Sequence, residues 1–217
     1  MRGGSLDLSD SFHSPSSSVP SSLSNFPGRH YYLAVDRLQF KMETLVDLLE
    51  VAGKQPSLPI VICCSSRDEL DAVCSTVANL SYISFSPLYS DQAETERASI
   101  LEKFRLATLQ WNQKYSVLSL DCMEPEHATR KACMVVATDA CLPSSALGEA
   151  SLTARLLINY ELPSKKETYC RRTSSCLAAD GIVINMVVGG EVATLRALEE
   201  TSGLIITEMP ISISEIL

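Results

Sequence analysis

Short apolar segments alternate along this chain with longer segments of mixed polarity. The apolar segments predict β-strands at residues 31–35, 59–64, 83–85, 133–137, 155–160 and 182–188. The segments between them predict helices near residues 42–53, 66–79, 92–108, 165–175 and 190–201. Strands that are apolar throughout are typical of parallel sheets. Their alternation with helices therefore predicts one α/β domain, with helices on both faces of the sheet.

Two of the predicted helices have recognisable ends. Leu45 and Leu49 recur at helical spacing, and Gly53 follows where a left-handed glycine often ends a helix. Ser66 is followed three residues later by Glu69, which is the spacing of a capping box. This pair predicts a helix that begins directly after Ser66.

Two segments are predicted to lie outside the alternating pattern. Residues 1–29 are rich in Ser and Pro and have few large apolar side chains, so we expect a disordered tail. An organellar transit peptide is the competing interpretation, but Asp7, Asp10 and the scarcity of Arg argue against it. Residues 109–131 exceed an ordinary helix-to-strand connection, so we expect a surface insertion that contains Trp111. The predicted domain spans residues 30–217.

Composition narrows the class of protein. With 46% hydrophobic and 20% charged residues the chain can bury a core, and no apolar run is long enough to span a bilayer. The formal net charge of -8 argues against tight nucleic-acid binding by this chain alone. Eight cysteines without a C-x-x-C pair, and only three histidines, predict reduced core thiols without a zinc site or a disulfide framework. We expect a cytoplasmic or nuclear protein without membrane attachment, metal or cofactor.

One predicted strand ends in polar residues and is then followed by an uncharged loop. Thr138 and Asp139 come directly after residues 133–137, and a parallel sheet would place them at its carboxyl edge, where open α/β folds keep their sites. The next nine residues, ACLPSSALG, carry no charge. No G-x-x-x-x-G-K-[ST] motif (Walker A) is present, and Gly53-Lys54 is more simply the end of a helix. The edge is therefore built like a site but lacks reactive groups.

A colinear series of short motifs resembles a known family. The series comprises residues 41–50 (KMETLVDLLE), 61–67 (VICCSSR), 96–105 (ERASILEKFR), 136–139 (VATD), 158–163 (INYELP), 167–172 (ETYCRR), 181–185 (GIVIN) and 208–210 (EMP). Each motif is short, but together and in this order they resemble the second RecA-like domain of DEAD-box RNA helicases, close to the translation initiation factor 4A branch. The resemblance covers residues 30–217 and implies a single RecA-like domain.

In that family the second domain supplies half of an RNA-binding track, and the resemblance implies that this half survives in part. Ser66 and Arg67 stand at a strand tip that usually reads Asn-Thr-Arg, and Thr138 matches a residue that touches phosphate. In the Q-x-x-R motif Glu94 replaces the glutamine and Arg97 is retained. Purely structural roles stay open, because Ser66 could cap its helix and Thr138 with Asp139 could tie the following loop.

The resemblance also implies that the ATP-binding half is lost. Pro143 stands where the family has an arginine, and Ala146 stands where it has the aspartate that holds the nucleotide sugar. Of the family's H-R-x-G-R-x-G-R motif, Arg172 remains, Ser175 replaces an arginine finger, and the last arginine has no counterpart. One such arginine is worth about 10³ to 10⁵ in the rate of phosphoryl transfer. The resemblance therefore implies a domain without catalytic residues and without a bound nucleotide.

These observations predict a catalytically inactive, helicase-like binding module. Its expected partner is a protein scaffold or an active helicase of RNA metabolism, with weak RNA contact. An RNA-dependent ATPase half that is completed by a first RecA domain in trans is the alternative. A truncated, non-functional product of a duplicated helicase gene is a third interpretation.

Overall fold

The computed structural model describes residues 26–117 and 131–217. The predictions for residues 1–25 and 118–130 lie outside the described residues. The strands are β1 (Arg29–Val35), β2 (Pro59–Cys64), β3 (Ile83–Leu88), β4 (Ala132–Thr138), β5 (Ala154–Asn159), β6 (Leu177–Val188) and β7 (Thr207–Glu208). The helices are α1 (Lys41–Ala52), α2 (Arg67–Val77), α3 (Glu94–Val117), α4 (Lys166–Cys176) and α5 (Val192–Ser202).

The strands form one sheet of the predicted parallel type. Its seven strands lie in the order β3-β4-β2-β5-β6-β1-β7, and every described strand pair is parallel. Successive side chains of a strand point to opposite faces. In β2, accordingly, Ile60 and Ile62 pack with α1 and α2, whereas Val61 and Cys63 pack with α3, α4 and α5. The predicted fold class, an α/β sheet covered on both faces, is confirmed.

Helix α3 continues beyond the end that the sequence suggested. The sequence predicted that the helix ends near residue 108, but it extends to Val117. Trp111 was expected in a surface insertion, yet its side chain is buried in the core on the α1 and α2 face of the sheet. The sequence did not predict this burial, because α3 contains many charged residues and its apolar positions do not form one continuous stripe. Among the described residues, no helix is long and apolar enough to cross a membrane.

The expected tail also ends earlier than residue 29. Strand β1 begins at Arg29, Phe26 packs against the core, and the Gly28 N–H donates to the carbonyl of Ala179 at 3.0 Å. Gly28 has φ of 85°, and a Cβ there would lie 2.6 Å from the carbonyl oxygen of Gly181. Residues 26–29 are therefore part of the domain, and Gly28 permits their close approach to β6.

The two predicted helix ends have different outcomes. The Ser66 side chain accepts a hydrogen bond from the Glu69 N–H at 3.2 Å, so the predicted start of α2 is confirmed. Gly53 does follow α1, but its φ of -68° is an ordinary helical value. A Cβ at Gly53 would lie only 2.4 Å from the Tyr82 ring. The glycine is therefore required by close packing against Tyr82 and not by a left-handed turn.

Strand β6 is longer than predicted and contains an irregularity. Ala154 of β5 pairs with Leu177, but Leu156 pairs with Ile182. Two steps along β5 therefore match five steps along β6, so three extra residues bulge from the ladder. Residues 179–180 lie in this bulge.

Candidate functional site

Polar residues from three neighbouring strands meet at the carboxyl edge of the sheet. Ser65 directly follows β2, and Asp139 directly follows β4, which ends at Thr138. Strand β5 ends at Asn159, and Glu161 lies two residues further along the chain. These strands are parallel neighbours, so their ends lie side by side. The predicted position of Thr138 and Asp139 at the carboxyl edge is therefore what the fold produces.

The Arg172 side chain of α4 bonds to residues at all three of these strand ends. Its Nε and Nη2 donate to the two carboxylate oxygens of Asp139 at 2.7 and 2.8 Å. Its Nη1 donates to Oδ1 of Asn159 at 3.0 Å and to the carbonyl oxygen of Glu161 at 2.8 Å. Nη2 also lies 3.4 Å from the Ser65 hydroxyl. The side chain is fully buried, so all of its donor groups serve the fold.

The charge of Arg172 is stabilised inside the protein. Burial by itself would lower the pKa of the Arg172 guanidinium, but the hydrogen bonds to Asp139 and the electrostatic attraction of Cys63, Asp139 and Cys64 together outweigh this effect, so the pKa is raised. A buried bidentate pair with further hydrogen bonds satisfies both charges. Arg172 and Asp139 therefore act as a structural tie at the strand ends.

A cleft of about 530 Å³ lies beside the Arg172–Asp139 pair, and Asp139 forms part of its lining. Three of the predicted motif residues, Arg97, Pro143 and Ser175, line it together with Asp139. Ala146 is exposed on the short 3-10 turn Ser145–Leu147. The sequence therefore identified residues that do converge in space.

Ser175 also has a backbone role beside the cleft. Its carbonyl oxygen accepts hydrogen bonds from the N–H of Leu152 at 2.9 Å and from the Ser151 hydroxyl at 3.0 Å. These bonds join the end of α4 to the segment that enters β5.

Arg97 projects from the first turn of α3 into the cleft and is paired there. Its Nε donates to Oε1 of Glu149 at 2.6 Å and its Nη2 to Oε2 at 3.0 Å. The Ser144 N–H also donates to Oε2 of Glu149, at 3.1 Å. The guanidinium hydrogen bonds lower the pKa of Glu149, and the same bonds raise the pKa of Arg97. The predicted phosphate contact of Arg97 is thus occupied by a carboxylate.

The other residues predicted to touch RNA have local partners. Ser66 caps α2, as the structural alternative proposed. The Thr138 hydroxyl donates to Sγ of Cys141 at 3.2 Å, within the loop that follows β4. Arg67 forms an ion pair with Asp91 at 3.2 Å and lies 4.8 Å from the centre of the Tyr89 ring. These contacts do not test RNA binding, which stays a prediction.

Glu94, the remaining motif position, is exposed at the first residue of α3. A carboxylate there interacts favourably with the helix dipole. Arg67 lies on a second surface, separated from the cleft by Tyr89 and Gln92, which line both.

Sequence reasoning missed Glu149, which pairs with the cleft residue Arg97, and Arg171, which lines the cleft. Glu149 is the only charged residue between Asp139 and Arg155, and this isolation was a usable signal. Arg171 is about half exposed at the cleft wall, and its Nη2 donates to the backbone carbonyl of Asp139 at 2.6 Å. Its place at the cleft was not predicted, because the retained arginine of the family motif is the neighbouring Arg172.

A chain of buried hydrogen bonds leads from the Arg172 tie across the sheet. The Asn159 amide donates to the Asn185 side-chain oxygen at 2.8 Å, and the Asn185 amide lies 3.3 Å from the Tyr169 hydroxyl. That hydroxyl lies 2.7 Å from Nδ1 of His30. Burial raises the pKa of Tyr169. The chain links the strand ends to the first strand of the domain.

His30 is held neutral at the end of this chain. Its Nε2 lies 3.1 Å from the carbonyl oxygen of Pro27. A carbonyl can only accept, so Nε2 carries the proton and Nδ1 accepts from the Tyr169 hydroxyl. Burial lowers the pKa of His30, and the bond to Pro27 offsets only part of this effect.

The architecture defines the class of the protein. A parallel sheet with helices on both faces, whose polar groups gather at the carboxyl edge, is an open α/β domain, and its match to solved structures shows that it has the RecA-like fold. The C-terminal domain of the DEAD-box protein Dbp5 has this fold, with a TM-score of 0.59 over 84% of this chain and 89% of that domain at 14% identity. Escherichia coli SrmB, solved bound to regulator of ribonuclease activity A, gives 0.57 over 87% and 93% at 18% identity.

The curated relatives of the chain are DEAD-box helicases. ATP-dependent RNA helicase FAL1 of Phaeosphaeria nodorum is 25% identical over 191 residues, which cover 87% of this chain and 43% of the helicase. ATP-dependent RNA helicase eIF4A of Kluyveromyces lactis is 27% identical over 188 residues, covering 86% and 40%. No protein-family model matches the chain. The chain spans about two fifths of the length of these relatives. The predicted resemblance to a DEAD-box C-terminal RecA-like domain is confirmed.

Proposed function

We propose that this helicase-related domain has no ATPase activity and serves as a protein-binding module in RNA metabolism. The observation that carries the proposal is that Ser175, at the position of an arginine finger, lines the cleft without a charge, and that Arg172, the arginine retained from the same motif, does not replace it there. Arg172 is fully buried and bonds Asp139, Asn159 and Glu161. An arginine that stabilises phosphoryl transfer must reach the phosphate, and Arg172 faces inward.

The residues around the cleft support the same proposal. Ser175 and Ala146 carry no charge where the helicase family has an arginine finger and a carboxylate. Arg97 is paired with Glu149. Pro143 is buried in the loop after β4 and fixes its own φ, so this loop cannot simply follow the family's path.

One observation favours the alternative, in which a first RecA domain supplied in trans completes an ATPase. Arg171 lines the cleft and its side chain is 53% exposed. It is a cation beside the cleft that a bound phosphate could approach. Its guanidinium is, however, already bonded to the Asp139 carbonyl, and the alternative would need it to move.

Reconstitution separates the two candidates. The chain is mixed with the first RecA domain of Kluyveromyces lactis eIF4A and RNA, and phosphate release is measured. We expect no release above that of the first domain alone. The second RecA domain of eIF4A serves as the positive control. Turnover that depends on this chain would overturn the proposal.

The variant Ser175→Arg sharpens this test, because it returns one arginine finger. Catalytic groups must sit within about 0.5 Å of productive geometry, and the loop with Pro143 remains altered. We therefore expect no ATPase activity from Ser175→Arg either. Activity from this single substitution would mean that the site is nearly complete.

The protein-binding role needs its own experiment. SrmB, a DEAD-box protein of the same fold, was solved bound to a protein regulator, which supports binding of a protein by a domain of this kind. Affinity purification with the intact chain is expected to recover a scaffold, a helicase or an RNA-processing factor. The destabilised variant Arg172→Ala is the control bait for chaperone capture. Recovery of the same proteins by both baits would contradict the proposal. We also propose a cytoplasmic or nuclear location, which microscopy of the tagged chain would test.

A further inference from the structure

Three N–H groups of two cleft residues, Arg97 and Ser144, converge on a single carboxylate. Nε and Nη2 of Arg97 and the backbone N–H of Ser144 donate to the two oxygens of Glu149, at 2.6, 3.0 and 3.1 Å. A guanidinium fork with an adjacent backbone N–H is a donor set that binds phosphate oxygens as readily as a carboxylate. The geometry around Arg97 is therefore that of an anion site whose occupant belongs to the protein itself.

Glu149 is delivered by a small loop at the protein surface. The loop follows the turn Ser145–Leu147 and is closed by its own backbone bonds, in which Leu147 and Glu149 both donate to the carbonyl of Ser144. Gly148 adopts a left-handed φ of 73° and a Cβ there would meet no atom within 4 Å. Leu147 is 78% exposed. The Glu149 carboxylate joins this superficial loop to α3.

The surroundings of the pair are also suited to an anion. Arg171 lines the same cleft with a half-exposed guanidinium, and Ser145 and Ser174 expose side chains at its wall. The Arg97 and Glu149 side chains are 19% and 17% exposed, so the pair is reachable from the cleft. A ligand that displaced the carboxylate would enter a cleft lined by Arg97 and Arg171 and by the Asp139 carboxylate, whose charge is paired with Arg172 and Arg171.

We propose that Glu149 is an internal competitor that closes a phosphate-binding site formed by Arg97 and the Ser144 N–H, and that the excluded ligand is the RNA backbone. A phosphodiester carries one negative charge, as does the carboxylate. The carboxylate is attached to the site, which gives it a high effective concentration that RNA in solution does not match. This inference goes beyond the protein-binding role and does not depend on the loss of ATPase activity.

The test measures binding of a fluorescent single-stranded oligouridylate by anisotropy. In Glu149→Ala we expect the affinity to rise about ten-fold, which corresponds to one charge-assisted hydrogen bond. The log–log salt dependence should steepen by about 0.7, the value for one more neutralised phosphate on a single strand. The double variant Glu149→Ala/Arg97→Ala should lose the gain.

A matched control separates the site from a simple change of charge. Glu102 forms an equivalent bidentate pair with Arg105 on the exposed surface of α3, at 2.7 Å for both bonds. Glu102→Ala removes the same charge and frees an arginine outside the cleft, so we expect no change in RNA affinity. An equal gain in both single variants would overturn the proposal, as would a gain in Glu149→Ala that survives Arg97→Ala. Absence of any gain in folded Glu149→Ala would do the same.

A second readout uses the protein that retains Glu149, so it does not rely on the folding of Glu149→Ala. If Glu149 already occupies Arg97, then Arg97→Gln should leave the residual RNA affinity of the chain unchanged. A several-fold loss of affinity in Arg97→Gln would show that Arg97 already contacts RNA, and the proposal would fall. Thermal unfolding followed by circular dichroism verifies that each variant is folded.

Discussion

Arg172 and Arg97 each hold a carboxylate with a two-pronged contact, yet their surroundings differ. Arg172 is fully buried and adds bonds to Asn159 and the Glu161 carbonyl, so it joins the ends of β4 and β5 to α4. Arg97 is partly exposed at a cleft and its described bonds go to Glu149 alone. The comparison teaches that such an ion pair is structural when the arginine also bonds acceptors on several elements of the fold. It is exchangeable when a single surface loop supplies the acceptor.

The largest effect is expected at Arg172. Removing one partner of a buried, hydrogen-bonded charge pair costs about 3–5 kcal/mol. Because domains of ordinary stability have only about 5–15 kcal/mol of unfolding free energy, Arg172→Ala should be close to unfolded. Urea denaturation followed by circular dichroism measures the loss.

The neighbouring arginine is the matched control for this prediction. Arg171 lies one position away, and its side chain is 53% exposed. Arg171→Ala should change the unfolding free energy by less than about 1 kcal/mol. Equal losses from the two alanine variants would show that burial does not distinguish these arginines.

The next effect concerns His30, at the far end of the buried hydrogen-bond chain that begins at Arg172. Its pKa is lowered in the folded state, so the unfolded chain binds more protons as the pH falls. Stability is therefore full above the unfolded value of about 6.5 and declines below it, by about 1.4 kcal/mol per unit of pKa difference. Melting temperatures between pH 7.5 and 5 measure this decline.

His30→Gln sharpens the interpretation, because glutamine offers a donor and an acceptor but does not titrate. We expect the variant to have a flatter dependence of melting temperature on pH. If both proteins lose stability equally between pH 7 and 5.5, then His30 is not the responsible group.

The smallest effect is expected for the cleft pair. A double-mutant cycle with Arg97→Ala and Glu149→Ala should give a coupling energy of about 1 kcal/mol at neutral pH. The pKa of Glu149 is lowered in the folded state, so the coupling is complete above about pH 4.3 and is lost as the pH falls through the lower folded value. A coupling as large as that expected for Arg172 would make the Arg97 pair structural as well.

Most of the fold could be predicted because its signals are local. The apolar strand β2 and the Ser66 cap depend on residues within a few positions of each other, and both predictions were confirmed. The errors lie where distant packing decides. Trp111 is buried although its neighbours along the chain are polar, and Gly28 follows a Ser/Pro-rich segment but bonds to β6.

The candidate site could be predicted in position but not in detail. Thr138 and Asp139 were expected at the carboxyl edge because a parallel sheet places all of its strand ends there. The partners of Asp139 were not predictable in the same way. Arg171 and Arg172 are adjacent in sequence, yet one is half exposed and the other fully buried. Successive residues of an α-helix point about 100° apart, so α4 presents Arg171 to the cleft and Arg172 to the core.

The sequence by itself determined that this chain forms a parallel α/β domain, because the order and polarity of its segments depend on neighbouring residues only, and its colinear motifs carried the resemblance to RecA-like domains. It also determined that Ser175 and Ala146 carry no charge. Only the tertiary structure decided what the remaining charges do. Glu149 lies 52 positions from Arg97, and Asp139 lies 33 from Arg172. Charges so far apart along the chain become partners only when the strands and helices that carry them pack together, since an ion pair depends on distance in space.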